Sequence, residues 1–301
     1  MSLDELRELL DRHVRPDQTT AIDGVRICRF DRDIPPASSM SGTVLAVVAQ
    51  GTKRLALGDS IHEYGAGQYL VASVDLPVTG HVVDATPSHP TLGFGMTLEP
   101  AAVAELLLQA GPRDLPQSSD AARPGITVSA APEELLDAIV RLLRLLDRPR
   151  DRQALVPLVK REILWRLMTG EQGAVVRQLG LSDSSMAHIR RAVRWIRENY
   201  ASPFRVEDVA RLSGMSVSAF HRNFQEVTAM SPIQFQKQIR LQEARLLLVN
   251  RPNDITGVGH RVGYDSPSQF SREYRRQFGA PPSVDAVRMH DEADPAPAAL
   301  P

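Results

Sequence analysis

The first hundred residues alternate short apolar runs with turn-forming residues, a pattern typical of β-strands. β-Branched and aromatic residues are concentrated in Val44 to Ala49, Tyr69 to Val74 and His81 to Val83, as expected for strands in a packed sheet. The turn signals between these runs are Gly42, Gly51, Gly58, Asp59, Gly65, Gly67, Pro77 and Gly80. Short strands with such dense turns predict a small β-barrel or sandwich from about Thr20 to Met96.

Beyond residue 99 the apolar positions recur with helical spacing. This spacing predicts one helix after Pro100, a second from Pro132 to Leu146 and a third around Leu155 to Leu167, since each has an apolar stripe. The apolar faces of the second and third helices either pack on the strands or form a dimer interface, because they offer more apolar surface than a small barrel covers. The residues expected at such a dimer interface are Leu135, Ile139, Leu142, Leu146, Val159 and Ile163.

An internal repeat lies between residues 206 and 282. The first copy reads Val206-x-x-Val209-Ala210-x-x-Ser213-Gly214, followed by Ser216, Phe220, Arg222 and Phe224. The second copy reads Ile255-x-x-Val258-Gly259-x-x-Val262-Gly263, followed by Ser266, Phe270, Arg272 and Tyr274. The spacing is the same apart from one extra residue in the second turn, and a proline ends each copy, at 232 and 282.

Each copy has the pattern of a helix-turn-helix. The small residue at the fifth position lets the second helix cross the first closely, and the glycine at the ninth permits the positive φ of a tight turn. Ser216 marks the start of one second helix, and Ser266, Pro267 and Gln269 mark the other with a capping-box pattern. A single such motif is often only an αα corner. Two copies favour a DNA-binding domain whose recognition helices lie about one DNA turn, ~34 Å, apart.

The second helix of each copy is predicted to turn polar side chains outward, because its aromatic residues are four apart and face the core. The outward residues expected at DNA are Ser218, His221, Arg222 and Gln225 in the first copy, and Ser268, Gln269, Arg272 and Arg276 in the second. Arginine pairs with guanine and glutamine with adenine, while serine and histidine contact bases or phosphates.

Charge along the chain is uneven, although the overall balance is 35 basic against 36 acidic residues. Residues 183 to 289 hold 16 basic and 10 acidic residues, a net charge of +6, whereas residues 1 to 182 have a net charge of −4 and residues 290 to 301 of −3. A basic domain attached to an acidic one is typical of a nucleic-acid binder with a separate sensing or assembly module. Four of these basic residues are arginines of a predicted helix from Met186 to Tyr200, which either contact phosphates or form a solvated face.

The basic segment resembles the AraC/XylS family of bacterial transcription regulators. The resemblance rests on VEDVARLSGMSVSAFHRNFQ, SPIQFQKQIRLQEARLLL and VGYDSPSQFSREYRRQFGAPPS, and covers roughly residues 186 to 284. It implies a seven-helix domain with base contacts from Ser218, His221, Arg222, Pro267, Ser268, Gln269 and Arg272. The chain departs from the family at Ala229 and Gly259, where glycine and alanine are usual, and at Pro267, which has no backbone N–H to donate.

The N-terminal half looks like the cupin-like domain of AraC-type regulators, through GTKRLALGDSIHEYGAGQYLVASVDLPVTG and LVKREILWRLMTGEQGAVVRQLG. The resemblance implies a barrel that binds an effector or serves assembly, with adjoining helices that dimerise. A pocket for a small molecule is one alternative for the barrel interior, and filling by its own side chains is the other.

A cupin enzyme is the alternative from another functional class, but it needs a metal held by an H-x-H pair. His62, His81 and His89 are scattered instead, and no nucleophile elbow, P-loop or dinucleotide fingerprint is present. We therefore expect no catalytic residues, no metal and no cofactor. Cys28 is the only cysteine, so it is either a small buried hydrophobe or a redox switch.

Taken together, these observations predict an α+β protein. Residues 1–115 form a cupin-like β-barrel, residues 116–181 a helical linker with the dimerisation helices, residues 182–289 an all-α domain with tandem helix-turn-helix motifs, and residues 290–301 a disordered tail. We expect a sequence-specific transcription regulator that binds the major groove of double-stranded DNA as a homodimer and responds to a small-molecule effector. If it is an activator, RNA polymerase is a further partner. The chain lacks a long apolar run and a secretory signal, so we expect a cytoplasmic protein without membrane contact.

Overall fold

A computed structural model of the chain describes residues 2–111, 114–116, 123–182 and 184–291. These residues fall into two compact units, one comprising 2–187 with 226–229 and the other 188–225 with 230–291. None of the helices in these ranges is both long and apolar enough to cross a membrane. The predicted disordered tail begins too early, since residues 290 and 291 belong to the helix Pro282–Asp291. The remainder of that tail, from residue 292 onward, lies outside the described residues.

The first unit contains two antiparallel sheets. The strands are β1 (Val25–Phe30), β2 (Ile34–Met40), β3 (Val44–Gln50), β4 (Thr52–Leu57), β5 (Ser60–Gly65), β6 (Gln68–Ala72), β7 (Pro77–Val83), β8 (Thr91–Thr97) and β9 (Ile126–Ala130). A five-stranded sheet runs in the order β1-β8-β3-β6-β9, and a four-stranded sheet in the order β2-β7-β4-β5. The sheets face each other, since Cys28 and Phe30 of β1 pack with Val82 of β7.

Neither sheet closes on itself, so the described strands form the sandwich alternative rather than the closed β-barrel that the sequence analysis expects. Closure would require the edge strands to pair with each other. The edge strand β2 contains Pro35 and Pro36, and its register with β7 shifts between Ile34 and Ala37. Because proline has no N–H to donate, this strand is suited to an edge and not to pairing on both sides.

Five helices of the first unit cover the five-stranded sheet and bury one large core with it. They are α1 (Ser2–His13), α2 (Pro100–Gln109), α3 (Glu133–Arg144), α4 (Pro149–Thr169) and α5 (Gly173–Gly180), with a short 3-10 helix at Leu145–Asp147. Strand β3, whose residues Val44–Ala49 are all buried, lies between this helical layer and the second sheet. Its uninterrupted apolar run therefore reflects burial on both faces.

Most of the residues predicted at a dimer interface lie inside a single copy of the chain. Leu135, Ile139 and Leu142 of α3 are 2%, 0% and 0% exposed, and Ile163 of α4 is 0% exposed. They belong to the core that includes the sheet, while Leu146 and Val159 are partly buried at its edge. The four enclosed side chains correspond to packing on the strands and offer no surface to a second copy.

The second unit is helical. Between residues 185 and 291 the structure describes α6 (Ser185–Glu198), α7 (Val206–Leu212), α8 (Val217–Thr228), α9 (Pro232–Asn250), α10 (Ile255–Arg261), α11 (Pro267–Phe278) and α12 (Pro282–Asp291). Each copy of the repeat forms a pair of helices, α7 with α8 and α10 with α11. Aromatic side chains four apart, Phe220 with Phe224 and Phe270 with Tyr274, are fully buried as the spacing predicts.

The two motifs differ in the residue that ends the second helix. Gly279, after α11, has a φ of 78°, and Ala229, at the equivalent place after α8, has a φ of 55°. Both are left-handed, a conformation in which a Cβ costs about 1 kcal/mol relative to glycine. The first motif therefore holds a strained residue where the second holds an unstrained one.

Replacing Ala229 with glycine should stabilise the first helix-turn-helix motif by about 1 kcal/mol, because glycine removes this strain. The chain has two tryptophans, Trp165 in α4 and Trp195 in α6. In a Trp165→Phe background, Trp195 fluorescence during urea unfolding reports the second unit. The matched change Gly279→Ala, whose Cβ would meet nothing within 4 Å, should lower stability by about the same amount. A lower urea midpoint for Ala229→Gly would contradict the interpretation.

Candidate nucleic-acid interface

The first motif presents one polar face of α8 to solvent. Val209 and Ala210 of α7 are buried, and the turn passes through Gly214 at a φ of 75°. The hydroxyl of Ser216 accepts from the Ala219 backbone N–H at 3.4 Å and caps α8. The four residues predicted at DNA, Ser218, His221, Arg222 and Gln225, are all exposed. Their spacing of three, one and three residues places them on one face of the helix.

The second motif repeats this arrangement with a glycine at the helix crossing. A Cβ at Gly259 would lie 3.1 Å from Cδ1 of Phe270, so the small residue is needed where α11 crosses α10. Ser266 accepts from the Gln269 backbone N–H and caps α11. The reciprocal capping box, which the sequence analysis expects at this helix, is formed instead at the start of α9 by Ser231 and Gln234.

The predicted DNA-contacting residues of α11 are also exposed: Pro267, Ser268, Gln269, Arg272 and Arg276. Gln269 has one engaged donor, since its amide nitrogen lies 3.3 Å from Oε1 of Glu273. Among the described residues, Arg222 and Arg272 form no hydrogen bond and no ion pair, although both are exposed cations. A guanidinium free on a helix surface keeps all five donors for a base edge or a phosphate.

Residue Arg191 of α6 has a role that the sequence analysis missed. It is half-buried, and its guanidinium donates to the Ser213 carbonyl at 3.1 Å and contacts His188, which also contacts that carbonyl. These side chains therefore hold the turn of the first motif. An arginine on a solvated helix face gives no sequence signal for such a contact, because its acceptor is a backbone carbonyl.

A buried carboxylate fixes the second recognition helix. Asp285 of α12 is 0% exposed and accepts from the Tyr274 hydroxyl at 2.8 Å, from Arg245 Nε at 3.0 Å and from Arg288 at 2.8 Å. Burial and the neighbouring Asp285 raise the pKa of Tyr274 well above its ordinary value. The neutral hydroxyl is therefore kept as a donor, and α9, α11 and α12 meet at one carboxylate.

Two family models match the chain. The model described as the AraC-type transcriptional regulator N-terminus matches residues 21–175, just over half of the chain, and a helix-turn-helix domain matches residues 209–286. The chain belongs to the AraC-type transcriptional regulators. The resemblance carried by the repeat and by the N-terminal half is thereby confirmed.

Individual AraC-type relatives match the chain over half of its length. The transcriptional regulator ExsA of Pseudomonas aeruginosa is 29% identical over 160 residues, 53% of this chain and 57% of that protein. The virulence regulon transcriptional activator VirF of Yersinia enterocolitica is 30% identical over 154 residues, 50% of this chain and 55% of that protein. The chain thus spans about half the length of the curated relatives it matches. These relatives are transcriptional regulators rather than enzymes.

A solved structure with a similar fold matches most of the chain. ToxT of Vibrio cholerae strain O395 superposes with a TM-score of 0.51 at 7% identity, covering 87% of this chain and 96% of ToxT. ToxT bound to (E)-4-(8-methylnaphthalen-1-yl)but-3-enoic acid superposes with a TM-score of 0.54 at 9% identity, covering 88% of this chain and 99% of that one. At this identity the likeness concerns the fold: a sheet-rich N-terminal part and a helical C-terminal part.

In the AraC-type N-terminal unit, Cys28 is 0% exposed between the sheets, and its Sγ lies 3.2 Å from Nζ of Lys53. Its burial removes the access to oxidants that a redox switch needs. Within the described residues, no three His, Cys, Asp or Glu side chains come together as metal ligands.

Asp285→Asn should lower the stability of the second unit by about 3 kcal/mol, because Arg245 would lose the carboxylate it faces inside the protein. Urea unfolding followed by Trp195 in the Trp165→Phe background measures the change. The control is Asp208→Asn, whose carboxylate pairs with Arg211 at 3.0 Å on the exposed surface. That change should stay within about 0.5 kcal/mol. Equal effects of the two substitutions would mean that the buried cluster contributes no more than a surface pair.

Proposed function

We propose that this chain is a sequence-specific DNA-binding transcription regulator whose α8 and α11 read the major groove of double-stranded DNA. The observation that carries the proposal is the duplicated motif, which exposes two matching polar helix faces in the basic part of the chain. Each face is held by a buried aromatic core, so the backbone under the reading residues is fixed. Membership of the AraC-type family supports the same function.

The base-reading roles follow from side-chain chemistry. The guanidinium groups of Arg222 and Arg272, which have no partner within the described part of the chain, match the two acceptors of guanine in the major groove, and Gln225 matches adenine. Ser218, His221, Ser268 and Arg276 complete the two faces and supply base or phosphate contacts. Pro267 offers its ring but no backbone donor, so we assign it apolar contact with the groove.

Arg222→Ala should weaken binding to a selected DNA site by about 1 to 3 kcal/mol and relax specificity at one base pair. The site is obtained by selection from random double-stranded DNA, and affinities for the selected and unselected DNA are compared by fluorescence anisotropy over a salt series. Equal weakening on both DNAs would instead make Arg222 a phosphate contact.

Arg272→Ala tests the second helix in the same experiment. This variant should relax specificity at a different base pair. Arg211→Ala is the matched control, because Arg211 is exposed and ion-paired on α7 and lies outside both reading faces. An effect of Arg222→Ala without one of Arg272→Ala would mean that the second motif docks without reading bases. If the unaltered chain enriches no sequence at low salt, DNA recognition is not its function.

We also propose that the regulator is a homodimer, with α4 as the contact. Leu155 and Leu158 are 40% and 61% exposed on α4, next to the partly buried Val156 and Val159. This surface differs from the predicted one, since the inner residues of α3 and α4 are enclosed in the core. Dimerisation through helices beside the sheets is what the AraC-type resemblance implies, and a symmetric pair of α4 helices would cover these leucines.

A Leu158→Glu substitution should convert the dimer to a monomer, because symmetry places two carboxylates at one apolar contact. Sedimentation velocity of the full chain measures the oligomeric state. Leu246→Glu is the matched control, since Leu246 is 63% exposed on α9 of the second unit. A monomer for the unaltered chain, or a dimer that survives Leu158→Glu, would refute the assignment of α4.

A small-molecule effector for the first unit stays a prediction, as does contact with RNA polymerase. One cluster supports an effector site in the first unit. Lys53 is 3% exposed and forms no ion pair among the described residues, and the hydroxyl of its cross-strand neighbour Tyr64 is buried without a hydrogen-bond partner. Buried donors that lack an oxygen acceptor favour a ligand that brings oxygen atoms. The acid bound in the ToxT structure has this chemistry, and we propose the same class for this chain.

A further inference from the structure

Helix α9 joins the two helix-turn-helix motifs, and its side chains contact both. It has 19 residues, so it is about 28 Å long at the helical rise of 1.5 Å per residue. A single helix by itself fixes the position of its ends but leaves the motif at each end free to rotate about the connecting residues. Any fixed separation of α8 and α11 therefore needs contacts in addition to the helix.

Arg240, in the middle of α9, supplies contacts of this kind. Its Nε donates to the Tyr200 carbonyl at 2.7 Å, one terminal nitrogen donates to the Gly263 carbonyl at 2.8 Å, and the other to the Ala201 carbonyl at 3.2 Å. Tyr200 and Ala201 lie just after α6, before the first motif, and Gly263 is the turn of the second motif. One guanidinium thus joins the entry of one motif to the turn of the other.

The segment before the first motif is held by a second side chain of α9. The amide nitrogen of Gln236, one helical turn before Arg240, donates to the Tyr200 carbonyl at 2.9 Å and to the Ser202 carbonyl at 2.6 Å. Three successive residues, 200 to 202, therefore have a carbonyl bound to α9. Because these carbonyls follow the C-terminal end of α6, the cation also interacts favourably with the dipole of that helix.

The turn of the second motif packs closely against the same segment, residues 200 to 202. A Cβ at Gly263 would lie 2.1 Å from the Ala201 carbonyl oxygen and 2.9 Å from Cζ of Arg240. The turn therefore approaches too closely to carry any side chain. This glycine, which a tight turn alone would favour, is also required by the contact between the motifs.

The contact extends from the turn to the second recognition helix. The Arg240 guanidinium lies 5.9 Å from the centre of the Tyr264 ring, and the Tyr264 hydroxyl donates to Glu273 of α11 at 2.9 Å. Glu273 pairs with Lys237 of α9 at 3.1 Å. The turn and α11 are thus both tied to the first half of α9.

We propose that Arg240 is a positioning residue that sets the separation of the two recognition helices, and through it the number of base pairs between the two halves of the DNA site. The proposal rests on the DNA-binding function argued above. Arg240 forms no ion pair among the described residues, and burial lowers the pKa of its guanidinium. Its charged guanidinium donates hydrogen bonds to three carbonyl oxygens, which only a planar, forked group can reach at the same time.

Selection from double-stranded DNA with a random core of about 30 bp tests the proposal, with the full chain and its Arg240→Met variant. The unaltered chain should enrich two short elements at a single spacing, close to one DNA turn. Arg240→Met should enrich the same elements at several spacings. In direct binding, a one-base-pair change of spacing should cost the unaltered chain about tenfold in affinity and the variant less than about threefold.

Two further variants separate positioning from folding. Arg240→Lys keeps the positive charge but loses the forked guanidinium. It should therefore also enrich the two DNA elements at several spacings, even when the variant folds fully. Arg251→Met removes an exposed arginine whose side chain has no hydrogen bond among the described residues, and it should leave the spacing unchanged. The inference is overturned if folded Arg240 variants keep the single spacing and merely bind more weakly. Failure of the unaltered chain to enrich any sequence would count against the proposed function itself.

Discussion

The DNA reading proposed for α8 and α11 requires that the protein hold the two helices at a separation that matches the groove, and the contacts of the second unit suit this constraint. The aromatic residues of each motif fix the tilt of its own second helix. Asp285 then gathers α9, α11 and α12 around one buried carboxylate. Arg240 and Gln236 of α9 bind the segment before the first motif, and Arg240 also binds the turn of the second. Packing seats each motif on α9, through Phe224 against Phe235 and through Leu241 in the core around Phe270. Charge-assisted hydrogen bonds to backbone carbonyls add a direct link from the second motif to the entry of the first.

The apolar pattern predicts much of the second unit because each copy of the repeat is short and amphipathic. Residues four apart, such as Phe220 and Phe224, must share a face, and a glycine such as Gly214 marks a turn whatever surrounds it. The outward position of Arg222 and Arg272 follows directly from these two facts. The contacts of Arg191 and Arg240 do not, because their acceptors are backbone carbonyls and every residue has one. A sequence gives no sign of which carbonyl a distant arginine will meet.

In the first unit the sequence pattern predicts the elements but not their partners. The apolar stripe of α3 predicts correctly that Ile139 is covered, but periodicity does not say whether the cover is a sheet of the same chain or another copy. Likewise, dense turns predict short antiparallel strands without saying whether the outer strands meet. Pro35 and Pro36 could have identified β2 as an edge strand. The burial of the Lys53 amine could not be predicted from the sequence, since its neighbours in space come from other strands.

The basic surface of the second unit is built almost wholly from one residue type. Of the 16 basic residues between 183 and 289, only Lys237 is a lysine, and it is paired with Glu273. Guanidinium groups stay protonated at any pH at which a protein is folded, and lysine acetylation does not act on them. The positive charge of this surface is therefore insensitive to pH and to lysine acetylation, and salt is what screens it. For the proposed DNA binding, regulation through geometry, assembly or ligand binding fits this charge better than regulation through its neutralisation.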